Sequence, residues 1–360
     1  MKVLLIGGTG TLSSDTTQLC INRGFDVYLI NRGHKNTYKG SNVHYLIGDI
    51  NQFDSAWKTL KDESFDVVVD YLVYTLETLK KHLAILKNRA RQYIFISSAT
   101  VYPIQDGVVK EGDTIGNDGW VYAKNKRFCE EYLRKNAKDL TFQYTIVRPY
   151  ITYDRKRIPF PIISKKSCWN LLYRISNGYP ILMPGDGNQK VTLTSTIDFA
   201  VGIVGLFMNQ DAYGEDFNIV GDSVATWNEV VGVIEKKLGK KANIVYVETE
   251  KLADKLPVLE GEIIYDKANS HFFNNEKIKR IVPEFRTTLD VETGIGRTVD
   301  YLMSSKEIQI VDEYWNAFEN VLCNKYGEIG CKVSLKQRWQ YFKAQSKLAI
   351  RVKKALKIDN

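Results

Sequence analysis

The chain lacks the marks of several large protein classes. Of its 360 residues only five are cysteine, Cys20, Cys129, Cys168, Cys323 and Cys331, widely spread with no CxxC pair and no histidine at metal-ligand spacing. A disulfide framework and a structural zinc site are therefore excluded as organising devices, and the thiols are expected to be reduced packing residues. Histidine is equally scarce. His34, His44, His82 and His271 form no recognisable nucleophile or metal arrangement, so hydrolytic and metal mechanisms have no support. The longest nearly unbroken apolar run, Phe199 to Met208, is about half of the roughly 20 residues a membrane-spanning helix requires. Lys2 followed by Val-Leu-Leu-Ile is too short for a signal peptide and meets glycines instead of a cleavage segment. The expected location is the cytoplasm.

What is present points to a globular α/β protein. At 44% apolar content the chain can bury the core of one large unit or of two joined domains. The net charge of +8 is local: residues 331–360 hold nine Lys or Arg and one Asp, so residues 1–330 sum to zero. Short β-branched runs at Val3–Ile6, Val27–Ile30, His44–Ile47, Val67–Asp70, Tyr93–Ile96 and Tyr144–Val147 alternate with helical stretches near 11–23, 53–61, 76–88 and 121–136. That alternation predicts a doubly wound parallel sheet (a Rossmann fold) whose binding crevice lies at the carboxyl ends of the strands. After Arg148-Pro149, proline and glycine punctuate the chain. The expected division is a dinucleotide-binding domain over 1–155 with a late strand near 217–220, a smaller interleaved substrate domain over 156–303, and a basic helical extension over 304–360. Asp198 is expected to cap a helix running to about Gln210.

The opening MKVLLIGGTGTLSSD places Gly7, Gly8, Thr9 and Gly10 directly after the first strand and Thr11 and Leu12 at the start of a helix. Such a turn aims backbone N–H groups and the positive helix end at a pyrophosphate. Ser13 stands where a third glycine would let the helix pack on the strand. The second strand ends in Asn31-Arg32-Gly33, without the acidic residue that binds the 2′-hydroxyl of NAD. Arg32 can instead pair with a 2′-phosphate, which favours NADP while leaving NAD open. Asp49 and Ile50, after the third strand, are placed to meet an adenine ring.

Tyr122 and Lys126 are four residues apart, so on a helix they share one face. A neighbouring ammonium stabilises a phenolate and brings its pKa nearer the working range, which lets the tyrosine trade protons while a hydride moves at the adjoining carbon. A serine strand, Phe95-Ile-Ser-Ser-Ala-Thr-Val-Tyr102, lies upstream, and Val147-Arg-Pro149 follows.

With these motifs, and with Glu111, Pro184-Gly-Asp-Gly187 and the closing Glu284-Phe-Arg to Thr298-Val-Asp-Tyr-Leu302, the sequence resembles the extended short-chain dehydrogenase/reductase superfamily, in its NAD-dependent epimerase/dehydratase branch, over about residues 1–303. The resemblance implies Ser98, Tyr122 and Lys126 as catalytic residues: Ser98 holds the substrate oxygen, and Lys126 also holds the nicotinamide ribose. It further implies Tyr71, Tyr122, Lys126 and Pro149 beside the cofactor, Thr100, Tyr150 and Lys190 beside the substrate, and a homodimer. The substrate it implies is an activated sugar, acted on by an epimerase or ketoreductase in sugar or surface-polysaccharide metabolism.

Three departures qualify this. Dehydratases of the branch carry Asp-Glu after the active serine or threonine, where this chain has Ala99 and Thr100. The usual Arg-Asp-Tyr-x-His after Gly187 is replaced by Asn188-Gln-Lys-Val-Thr-Leu-Thr-Ser195. The chain also continues past the family's usual end, with apolar residues Leu335, Trp339, Phe342, Ala349, Val352 and Leu356 at helical spacing among lysines and arginines. Such a tail packs on the body or a second subunit, lies on an anionic membrane on its inner face, or attracts nucleic acid. Some relatives with a similar glycine turn and Asn-Arg-Gly bind RNA, so a non-catalytic dinucleotide- or RNA-binding protein is the alternative. The intact Tyr–Lys pair argues for the enzyme and against nucleic acid.

Overall fold

A computed structural model describes residues 1–33, 37–49, 58, 60, 63–327 and 333–345. The expected helix near 53–61 and the candidate Ile50 lie outside the described residues, apart from Lys58 and Leu60. The strands in chain order are β1 (Lys2–Ile6), β2 (Asp26–Asn31), β3 (Val43–Ile47), β4 (Phe65–Asp70), β5 (Ala90–Ile96), β6 (Val108–Val109), β7 (Gln143–Pro149), β8 (Thr152–Tyr153), β9 (Pro180–Pro184), β10 (Lys190–Ser195), β11 (Asp216–Ile219), β12 (Ser223–Thr226), β13 (Asn243–Val247) and β14 (Phe272–Phe273). Seven of them form one all-parallel sheet in the order β11-β7-β5-β4-β1-β2-β3. The order reverses between β1 and β4, the switch point at which doubly wound folds bind ligands.

Parallel strands covered on both faces are mostly apolar, and β1 shows why. Val3 and Leu5 join a cluster with Phe199 and Ile203, whereas Leu4 and Ile6 join Leu79, Leu83 and Leu133 on the other face. Each such side chain stabilises the fold by about 1.5–3 kcal/mol. The covering helices are α1 (Thr11–Asn22), α2 (Leu76–Leu86) and α3 (Val121–Lys135). Further along come α4 (Trp169–Ser176) and α5 (Thr196–Gly205). The expected Asp198 cap is corrected: Ser195 accepts the Ile197 amide at 3.3 Å and caps α5, which ends at Gly205. Asp198 sits one turn inside, buried, where it accepts the Thr288 amide at 3.1 Å.

The chain forms two compact, interleaved units: one of residues 1–154, 191–224 and 271–290, the other of 155–190, 225–270 and 291–360. The second contains α6 (Trp227–Leu238), α7 (Thr249–Lys255), α9 (Val291–Ser304), α10 (Glu313–Tyr326) and α11 (Leu335–Gln345), while α8 (Glu276–Ile281) belongs to the first. In the second unit β9 pairs in parallel with β13, and Leu182 and Val245 pack against Phe318, Leu322 and Cys323 of α10. No helix among the described residues is long and apolar enough to cross a membrane.

Candidate active site

The glycine turn leaves β1 with the Gly7 amide bonded to the Ile30 carbonyl at 3.1 Å. Gly7 has φ +86°, and a Cβ there would lie 2.6 Å from Cγ of Leu72, so both conformation and space require glycine. A Cβ on Gly8 would meet Leu29 at 2.6 Å. Gly10 caps α1, whose first turn carries no acidic residue, so the positive helix end is unopposed. Ser13 is buried and ties the turn to itself: its Oγ accepts the Gly10 amide at 2.9 Å and donates to the Gly7 carbonyl at 2.7 Å. The serine in place of the third glycine thus forms half of a capping box. Thr9 and Thr11 flank Gly10, and Leu12 packs against the core on the α1 side.

At the end of β2 the Asn31 Oδ1 accepts the Gly33 amide at 2.7 Å, while its buried Nδ2 has no acceptor among the described residues. An orphaned buried donor is costly and marks a place where a ligand oxygen fits. Arg32 is exposed and forms no ion pair among the described residues, and Asp49 is half-buried just beyond β3. The open approach at Gly10, where a Cβ would meet nothing closer than Ser13 Oγ at 3.5 Å, the unopposed helix end and the Asn31 donor together fit a dinucleotide. Tyr71 does not take the expected place beside it. Strand pleating puts it on the face of Val67 and Val69, in the core, where burial raises its phenol pKa well above normal.

Ser98 leaves β5 in an extended conformation. Its Oγ accepts the Thr100 hydroxyl at 2.9 Å and the Thr100 amide at 3.3 Å. On α3, Tyr122 is half-buried and Lys126 fully buried. The Lys126 ammonium donates to the carbonyls of Val73, at 2.6 Å, and Ile96, at 2.7 Å, and lies 5.8 Å from the centre of the Tyr122 ring. Burial lowers the Lys126 pKa to about 8, against the opposing charges of Asp70 and Glu130. The serine strand and the tyrosine helix are thereby joined: one of the lysine's two acceptors is the carbonyl two residues before Ser98.

A second tie runs beneath. Ser97 Oγ donates to Glu130 at 2.6 Å, and Glu130 binds Arg148 of β7 through Nε at 3.0 Å and Nη2 at 2.6 Å. These bonds hold β5, α3 and β7 in register, and Pro149 closes β7. Ser97 and Arg148 lie within the sequence motifs and Glu130 outside them, since only the fold brings the three together. Trp120, also outside the motifs, has its ring 4.9 Å from that of Tyr122, and Tyr74, 51% exposed, lies 6.4 Å from the same ring. Tyr150 is buried 4.6 Å from Phe273 and 5.6 Å from His271, as a wall. Lys190 is exposed and opens β10 in the second unit. No group of His, Cys, Asp or Glu among the described residues is placed to hold a metal.

A parallel sheet with this strand order, a glycine turn at its first β–α junction and a serine strand beside a tyrosine–lysine helix are the features by which the chain resembles the extended short-chain dehydrogenase/reductase class. The model of the NAD dependent epimerase/dehydratase family matches residues 76–220, the stretch that holds Ser98, Tyr122 and Lys126.

Two curated relatives differ in kind. The chloroplast stem-loop binding protein of 41 kDa b from Arabidopsis thaliana is 26% identical over 251 residues, which is 66% of this chain and 63% of that protein. A UDP-glucose 4-epimerase from Lactobacillus helveticus is 28% identical over 168 residues, 41% of this chain and 51% of its own length. The chain thus spans between half and two-thirds of the length of these two relatives. Among solved structures, the UDP-glucuronic acid 4-epimerase from Bacillus cereus in complex with NAD superposes with a TM-score of 0.68 at 19% identity, covering 86% of this chain and 100% of that one. An epimerase from Methanothermobacter thermautotrophicus gives 0.70 at 17% identity, covering 86% and 94%.

Proposed function

We propose that the protein is an NAD(P)-dependent epimerase or ketoreductase acting on a nucleotide sugar. The observation that carries this reading is the junction of Ser98, Tyr122 and Lys126 in the same unit as the glycine cradle. The nicotinamide, when bound, supplies hydride exchange with the substrate's carbinol or carbonyl carbon. Tyr122 moves the proton at the substrate oxygen, Ser98 holds that oxygen, and the Lys126 ammonium favours the phenolate. Trp120 and Tyr74 flank Tyr122 with apolar ring faces suited to the carbon face of a sugar. Ala99 and Thr100 provide no acid–base pair for losing water, which disfavours dehydration. The exposed Arg32 favours NADP, although the Bacillus cereus neighbour was solved with NAD. Lys190 is the candidate for the substrate's diphosphate, and a homodimer is the assembly the family resemblance supports.

The test is turnover of UDP-glucose and UDP-glucuronic acid by wild type and Tyr122→Phe. Loss of at least about 100-fold in kcat is expected, the usual worth of a positioned proton-transfer group. Full turnover by the variant would overturn the assignment.

One observation favours a second reading. The match to a stem-loop binding protein extends over 251 residues, so RNA binding on the same fold is the rival. Titrating a stem-loop RNA at two salt concentrations separates the two readings. Tight, salt-dependent binding that survives Tyr122→Phe, with no turnover of any nucleotide sugar, would install the rival.

A further inference from the structure

The carboxyl-terminal helix α11 has two unlike sides. On one, Tyr341 meets Phe318 of α10 with ring centres 5.4 Å apart, so that side rests on the second unit. On the other, Leu335 and Trp339 are 86% and 62% exposed, and Lys336 and Arg338 are exposed beside them. With about 100° of turn per residue, Leu335 and Trp339 lie only about 40° apart around the axis. Lys336 falls to one side of the pair and Arg338 to the other. The result is a short apolar ridge with a cation on each flank, in a segment, 331–360, that carries the chain's entire net charge of +8.

We propose that this face of α11 docks on an anionic lipid bilayer, with Leu335 and Trp339 entering the headgroup–acyl boundary and the flanking cations meeting lipid phosphates. Each alternative occupant leaves part of the face unexplained. A second copy meeting the same face would bring like charges together around the ridge. Nucleic acid would satisfy the cations and could stack on the indole, but has nothing to cover the aliphatic Leu335. The body of the protein already takes the Tyr341 side. A bilayer accommodates all four groups: indole rings settle at the membrane interface, aliphatic side chains below it, and lysine and arginine at anionic headgroups. The inference is independent of the catalytic reading, since no residue of the candidate active site takes part.

The experiment is co-sedimentation of the full-length protein with phosphatidylglycerol–phosphatidylcholine vesicles and with pure phosphatidylcholine vesicles, at low and at physiological salt. Partitioning at least about tenfold stronger onto the anionic vesicles, weakening with salt, is expected. The double variant Leu335→Ser/Trp339→Ser should lose about tenfold of that affinity while keeping the wild-type circular dichroism and thermal midpoint, because both side chains are exposed. The variant Lys336→Glu/Arg338→Glu should lose a similar amount. Absence of vesicle binding by wild type, or undiminished binding by the first variant, overturns the proposal. So does a concentration-dependent dimer, or RNA binding, that the first variant abolishes in a protein with no vesicle affinity.

Discussion

Lys126 carries a measurable signature of its position. Its folded pKa is about 8 against a normal 10.5, and burial is the main cause. Between those values the unfolded chain holds the proton and the folded protein does not, so stability rises with pH across that window. A shift of this size corresponds to about 3 kcal/mol. Urea unfolding of wild type and Lys126→Met from about pH 7.5 to about pH 10 should therefore show wild type gaining close to that amount relative to the variant. A pH-independent difference would mean that the ammonium is not desolvated. Arg32 supplies a second residue-scale prediction. A guanidinium bound to a 2′-phosphate contributes about 1.5–3 kcal/mol, so Arg32→Asp should weaken NADPH binding by about 10- to 100-fold and leave NADH binding unchanged or improved, as read by calorimetric titration. Equal effects on the two cofactors would remove the argument for NADP.

At the scale of elements, a buried pair braces the strand that ends at the switch point. Asp70 closes β4 and His82 lies on α2, both with no exposed side-chain surface and 2.5 Å apart. The same carboxylate accepts the Tyr93 hydroxyl at 3.0 Å and the Leu72 amide at 3.1 Å. Leu72 and Val73 lead out of β4, and Val73 supplies one of the carbonyls that hold Lys126. A buried hydrogen bond to a carboxylate is worth about 1.5–3 kcal/mol, so Asp70→Asn should lower the urea midpoint accordingly with the slope unchanged. A change below about 1 kcal/mol would show that the pair contributes little to folding. Nothing in the spacing of the four histidines announced this brace, because Asp70 and His82 meet only once α2 packs on the sheet. The strands themselves were legible: β1, β2, β4, β5 and β7 are largely buried and carry short runs rich in apolar and β-branched residues. The end of α5 was less so. Leu206, Phe207 and Met208 continue the apolar run, but Met208 has a left-handed φ of +55° and the helix stops at Gly205. Helix α10 was not legible as a separate element, since its buried residues Asn316, Glu319 and Asn320 interrupt the apolar period of Phe318, Leu322 and Cys323.

Those buried polar residues set the largest-scale expectation, namely where the extension stops being an appendage. Arg174 of α4 is fully buried, and its guanidinium donates to the Pro180 carbonyl at 2.6 Å and 2.9 Å, to Asn320 at 2.9 Å and to the Asn316 carbonyl at 3.1 Å, with Glu319 at 3.4 Å. Three of its partners, Asn316, Glu319 and Asn320, belong to α10, the helix that also places Phe318, Leu322 and Cys323 against β9 and β13. Sequence patterning divides the chain at 304, whereas the contacts make α10 part of the second unit's core. A chain ending at Ser304 would leave a buried guanidinium without three of its acceptors and open the apolar face of Leu182 and Val245 to water. The expected outcome is loss of cooperative unfolding and rapid proteolysis within 155–190 and 225–270. A chain ending at Gly327 keeps α10 and sacrifices the packing of α11 on it, in which the ring contact of Tyr341 with Phe318 is worth about 1 kcal/mol. Its thermal midpoint should fall by only a few degrees. If both truncations melted alike and resisted protease alike, α10 would be an accessory. If only the shorter chain collapsed, the boundary between fold and appendage would lie after α10, and the detachable part of the molecule would be the segment that carries all of its net charge.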